Sequence, residues 1–163
     1  MGSGGGGDVP PGGFGGGMVS LSATEVNIPS GGFILANGAT APNNSALNGA
    51  GGGGSGGGIL IKGNIVNFAG NIIANGGQGG NSAYAGGGGA GGRIKLFSDA
   101  SVSSTGSMIV LGSVGGTGTA PTMMPPNEET GGARFTVTYA ANDHSLTRFQ
   151  ALTALHGVAR LPH

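Results

Sequence analysis

The chain has no cysteine and no tryptophan among its 163 residues, and only 7% of them are charged. Without cysteine there are no disulfides and no thiolate metal sites. An average soluble domain is about 25% charged. The only basic residues are Lys62, Arg93, Lys95, Arg134, Arg148 and Arg160, scattered along the chain, and formal net charge is zero. Nucleic-acid binding needs clustered Lys and Arg, so no nucleic-acid partner is expected. Six acidic residues are too few for a calcium array. No run approaches the ~18 apolar residues of a membrane helix, so no membrane span is expected. The opening "MGSGGGGDVPP" has neither a basic nor an apolar stretch, so no signal peptide is visible.

A net charge near zero promotes association. The composition suits a protein packed against copies of itself or against other structural subunits. It suits a freely diffusing monomer less well.

Glycine is what the chain has in excess, with 41 residues. That is about a quarter, where about 7% is usual. The glycines are organised. Four segments open alike, each after a glycine cluster, near residues 15, 56, 91 and 131. Met18, Ile59, Arg93 and Arg134 align at spacings of 41, 34 and 41 residues. The shared grammar is a glycine cluster, a short strand, a second short strand, a small-residue turn, a third strand and a long glycine-rich excursion. "GILIK" and "RIKLF" are β-branched and apolar, while "MVSLS" and "RFTVTY" alternate with period two. "EVNI" and "NIVNF" read as second strands, and "GGFILANG", "GNIIANGG" and "GSMIVLGS" as third strands. Ala-Asn-Gly recurs at residues 36–38 and 74–76, which reads as a strand-ending turn because Asn and Gly tolerate positive φ.

The excursions span residues 1–17, 38–58, 76–92 and 112–133. Gly/Ser tracts can be slack linker. Linker, however, usually carries hydrophilic filler, and these tracts hold almost no Lys or Glu and include Phe14, Leu47 and Tyr84. An ordered state is therefore expected, with extended glycine segments packed side by side in the manner of polyglycine II. Such packing uses glycine's lack of a side chain, as collagen does.

One repeat cannot bury its own apolar face, and stacking the repeats lines up three cores. These are Met18, Ile59, Ile94 and Phe135; Ile28, Phe68 and Val102; and Ile34, Ile72 and Ile109. The expected fold is a single all-β repeat domain over 1–163: a right-handed, parallel β-helix-like solenoid with long glycine-rich arcs. A glycine-rich β-sandwich is the alternative. Residues 141–163 read as an irregular cap, and 146–157 within it as a short helix or the third strand of a degraded repeat. No polar capping repeat is visible before residue 15, so a longer chain or a neighbouring subunit is expected to cover that end.

The segments "GGGGSGGGILIK", "GNIIANGGQGG" and "GGGGAGGRIKLF", over about residues 51–97, with an echo at 15–38, resemble a diffuse class of glycine-rich repeat proteins of cell surfaces and phage virions. "GGGGAGG" is similar to the glycine-rich sandwich domains of phage tail-fibre adhesins. The resemblance implies a rigid glycine scaffold with loops that touch a host receptor.

Candidate chemistry is thin. Gly53-Gly54-Ser55-Gly56-Gly57 matches G-x-S-x-G, but a strand follows it where a hydrolase has a helix. Glycine runs satisfy G-x-G-x-x-G automatically, and Lys62 and Lys95 both follow isoleucine, so no Walker pattern occurs. Asp143-His144-Ser145 reads as a polar turn, because a triad is a spatial arrangement. His144, His156 and His163 have spacings that fit no usual metal pair. "GGGGD" at 4–8 lacks the form and recurrence of a calcium β-roll. Asn43-Asn44-Ser45 is a glycosylation pattern, meaningful only in a secretory setting. No catalytic, cofactor or metal site is expected, and no enzyme.

Phe14 and Tyr84 read either as surface aromatics that touch a partner or glycan, or as packing wedges between arcs, with packing favoured. The expected function is a structural subunit of an extracellular filament, surface layer or virion appendage. The alternatives are an adhesin that binds a cell-surface receptor or glycan, and an ice-binding protein. For the last, Thr24, Thr40, Thr105, Thr117, Thr119, Thr122 and Thr130 form no strand ladder in the sequence.

Overall fold

The computed structural model describes residues 1–7, 10–45 and 49–118. Six strands follow in chain order: β1 (Met18–Ile28), β2 (Phe33–Leu35), β3 (Gly58–Phe68), β4 (Asn71–Ile73), β5 (Arg93–Ser104) and β6 (Ser107–Ile109). The fold is all-β, with no helix among the described residues. The expected fourth repeat from 131, the cap over 141–163 and the segment 146–157 lie outside the described residues.

Alternation builds the long strands. Ile59 and Ile61 of β3 are buried, while Lys62 beside them is exposed. Ile94, Leu96 and Ser98 of β5 are buried, while Arg93 is exposed. Each pair of short strands expected in the first half of a repeat is one continuous strand of 11 or 12 residues. No turn chemistry interrupts it, because the lone Gly63 stays within the ladder.

β1, β3 and β5 form one parallel sheet in that order, and β2, β4 and β6 form a second. A tight turn joins each long strand to its short one. After β1 the turn runs from Pro29 to Gly32, closed by a 2.9 Å bond from the Gly32 N–H to the Pro29 carbonyl. Gly31 there has φ 79°, which favours glycine. The later turns are shorter and continue the ladder. Ala69 and Gly70 both donate to the Ile28 carbonyl, and Thr105 and Gly106 both donate to Phe68. Parallel strands need a long crossover, usually a helix. In this chain the crossovers are the glycine-rich arcs 36–57 and 74–92.

Register decides the core. Val19, Ile59 and Ile94 stack, as do Leu21, Ile61 and Leu96; Val26, Val66 and Val102; Ile28, Phe68 and Ser104; and Ile34, Ile72 and Met108. The stacks expected from sequence were misregistered at three places. Met18 pairs with Gly58 and is 60% exposed, Val102 pairs with Val66, and Ile109 pairs with Ile73. The glycine clusters that guided the alignment do not keep a constant distance from the pleat. β5 also carries an irregularity opposite Gly63 to Ile65, where one extra residue is absorbed. With a side-chain period of two, a slip of one residue moves a side chain to the other face.

The middle repeat sits deepest. Ile59, Ile61, Val66, Ile72 and Ala74 are almost completely buried between the repeats on either side. β1 is a sheet edge, and most of its residues are exposed.

Candidate functional site

Two features of the described residues can carry function: the glycine arcs and the outer face of the β1–β3–β5 sheet.

The arcs are bonded to one another with a period of three residues. In the segment just before β3, Gly52 and Ser55 donate to Gly6 and Ser3. Gly53 and Gly56 donate to Gly87 and Ala90 of the next arc. Gly54 and Gly57 donate to Ala39 and Ala36. Carbonyls return the pattern, since Gly13 and Gly16 donate to Gly52 and Ser55, and Gly77 and Gly80 donate to Gly54 and Gly51. One extended segment therefore holds five others: 1–7, 12–17, 36–41, 74–80 and 86–92. Glycine is required by the close approach. A Cβ on Gly54 would run into the Phe14 carbonyl, and one on Gly53 into the Gly77 carbonyl.

Asparagine adds a second ladder between successive repeats. The Asn37 Oδ1 accepts from the Asn75 N–H at 2.8 Å, and the Asn75 Oδ1 accepts from the Leu111 N–H at 2.9 Å. Asn43, Asn81 and Thr117 repeat the arrangement at 2.9 and 2.7 Å. Between these two rungs the Gln78 N–H donates to the Thr40 Oγ1 at 3.4 Å. The Ala-Asn-Gly tripeptides are therefore not strand-ending turns with positive φ, because neither Gly38 nor Gly76 has one. Their asparagines tie one arc to the next. The signal was present in the sequence, since Asn37 and Asn75 share the 38-residue spacing of Asn43 and Asn81.

The Phe14 and Tyr84 side chains are 81% and 66% exposed. They do not wedge between arcs, contrary to the favoured expectation. Their backbones are pinned: the Phe14 carbonyl accepts from Ala39 and the Tyr84 carbonyl from Ala50, both at 2.8 Å. Each aromatic is thus a projecting side chain on a fixed backbone. Ser55 is no nucleophile with a base beside it, since its hydroxyl lies 3.2 Å from the Ser3 hydroxyl and donates to the Ser3 carbonyl. Asp143, His144, Ser145, His156 and His163 lie outside the described residues, as does Asp8 of "GGGGD". Among the described residues, no helix is long and apolar enough to cross a membrane.

Of the six basic residues scattered along the chain, Arg134, Arg148 and Arg160 lie outside the described residues, and the other three share the outer sheet face. Lys62, Arg93 and Lys95, the three described ones, fall on successive outward rows. These rows are Met18–Gly58–Arg93, Ser20–Leu60–Lys95 and Ser22–Lys62–Phe97. The Lys62 Nζ lies 5.8 Å from the centre of the Phe97 ring. Farther along the strands the same face carries Glu25, which accepts from the Asn27 Nδ2, and Asn27 in turn accepts from the Asn67 Nδ2. Exposed Asp99 follows on β5. A groove of about 620 Å³ at the basic end is lined by Met18, Leu60, Arg93, Lys95, Ser3 and Ser55, among others. The face can take an oppositely charged surface, and the arcs can supply stiffness.

No family model, curated protein or solved structure matches this chain.

Proposed function

We propose that the chain is a non-enzymatic structural element of an extracellular or virion assembly. Its parallel coils are a β-solenoid, and its arcs are a polyglycine II bundle with three residues per turn. The observation that supports this most is the three-residue bonding of Gly52 to Gly57 into neighbouring segments. Such a body resists bending because each arc is cross-linked on several sides, and it offers proteases little slack chain.

Assembly follows from the sheet edges. β1 is an edge strand with no partner on its outer side among the described residues. An edge presents unpaired N–H and C=O groups that template further pairing. Coils of one copy stacking on those of another, or on a related subunit, extend the two sheets. Near-zero net charge permits that approach.

Sedimentation and negative-stain imaging over the micromolar range test the reading. Open-ended rods or concentration-dependent oligomers are expected. A single monomeric species at high micromolar concentration contradicts the assembly role.

A second reading, an adhesin for a cell-surface receptor or glycan, is favoured by the exposure of Phe14 and Tyr84 on pinned backbone. Rigid aromatic platforms suit sugar faces and protein partners alike. Loss of cell binding in Phe14→Ala and Tyr84→Ala with assembly intact selects this reading; unchanged binding rejects it.

A further inference from the structure

We infer that the outer face of the β1–β3–β5 sheet pairs with the same face of a second copy, strands antiparallel across the contact. This rests on the structural reading above but uses a different surface from end-to-end stacking.

The argument is charge placement. The described residues contain three basic and two acidic side chains, Lys62, Arg93, Lys95, Glu25 and Asp99. All five lie on the one sheet that β1, β3 and β5 form. The cations occupy its first half, on the rows of Gly58, Leu60 and Lys62. Glu25 is paired with Ile65 in the second half, and Asp99 follows buried Ser98 where the register shifts. Neither Arg93 nor Lys95 forms an ion pair with another described residue. A two-fold axis midway between the copies, parallel to the sheets and perpendicular to the strands near the row of Lys62, sets Lys95 of each copy close to Asp99 of the other. A parallel arrangement would set like charges together, which is unfavourable. The contact is isologous and closes on itself.

Four apolar side chains share the face with Ser20, Ser22, Asn27, Asn67, Ser101 and Ser103. Met18 is 60% exposed and Ile65 is 37% exposed, with Leu60 and Phe97 half-buried beside them. Parallel sheets are usually covered on both faces, and this one is uncovered on its outer side among the described residues. Three strands of this length present a face of about 500 Å². Two copies then bury about 1,000 Å², the weak end of specific interfaces. A micromolar, salt-sensitive dimer is expected.

The test is a charge exchange read by analytical ultracentrifugation at low salt. The Lys62→Glu, Arg93→Glu, Lys95→Glu triple variant and the Glu25→Lys, Asp99→Lys double variant should each lose dimer affinity by at least about tenfold. Mixing the two variants should restore a heterodimer. All five side chains are exposed or half-buried, and circular dichroism of each variant checks that the fold survives. Dimerisation unchanged by both reversals, or no recovery on mixing, overturns the inference. End-to-end stacking is read separately: rods that persist in both variants leave stacking in place, while loss of rods in the unmodified chain removes the structural reading and not this contact.

Discussion

In β3, Ile59 and Ile61 are shielded from solvent by side chains of β1 and β5. In the arc that leads into β3, Gly53, Gly54, Gly56 and Gly57 are buried by bare backbone. The two regions exclude water equally and hold together differently. A buried isoleucine contributes about 1.5–3 kcal/mol. A glycine in the arc has nothing apolar to bury. Ordering its backbone costs about 1–2 kcal/mol, and a hydrogen bond returns a net 0.5–1.5 kcal/mol, roughly. The arcs are near balance by themselves, and the sheets must hold them in place. The sheets in turn have no helices over their crossovers and depend on the arcs to connect their strands. One cooperative transition is therefore expected for the two regions together.

The contrast implies an inversion of the usual mutational order. Adding a side chain to the arc should cost more than removing one from the core. The largest expected effect is Gly54→Val, whose side chain meets the Phe14 carbonyl. Backbone cannot give way as a side chain can, so a loss of at least about 4 kcal/mol, or failure to fold, is expected in urea unfolding. Ile61→Ala removes packing at a fully buried site and should cost about 3 kcal/mol by the same measurement. An arc variant milder than the core variant would make the arcs softer than their bonding implies.

Next comes Asn75→Ala, which removes the acceptor for the Leu111 N–H and should cost about 1 kcal/mol. Amide exchange at Leu111 should rise with it. The smallest effect is Lys62→Ala, where the contact to Phe97 is exposed and worth about 0.5 kcal/mol.

Much of the sheet region was legible in the sequence. "GILIK" and "RIKLF" announce β3 and β5 through their β-branched, apolar runs, and their repetition announces parallel stacking. The register was not legible, because an extra residue at Asp99–Ala100 and unequal turns after β1 and β3 cannot be counted from glycine clusters. The arcs were legible as an anomaly, since they contain too much glycine and too little charge for linker. Their bonding was not, because glycine carries no side chain to report which neighbour it faces. The asparagine ladder was misread because Ala-Asn-Gly has a strong local meaning as a turn, which the bonds between repeats override. The charged face needed the fold, because Glu25, Lys62 and Arg93 are far apart in sequence and come onto one sheet face only once the strands pair.

Amide hydrogen exchange across Gly52 to Gly57, measured alongside Ile61 and Ile94, addresses whether bare backbone can form an ordered body. The expected result is protection of the arc amides in the same class as the strand amides, lost in the same transition. Exchange of the arc at free-peptide rates while β3 and β5 stay protected would contradict it.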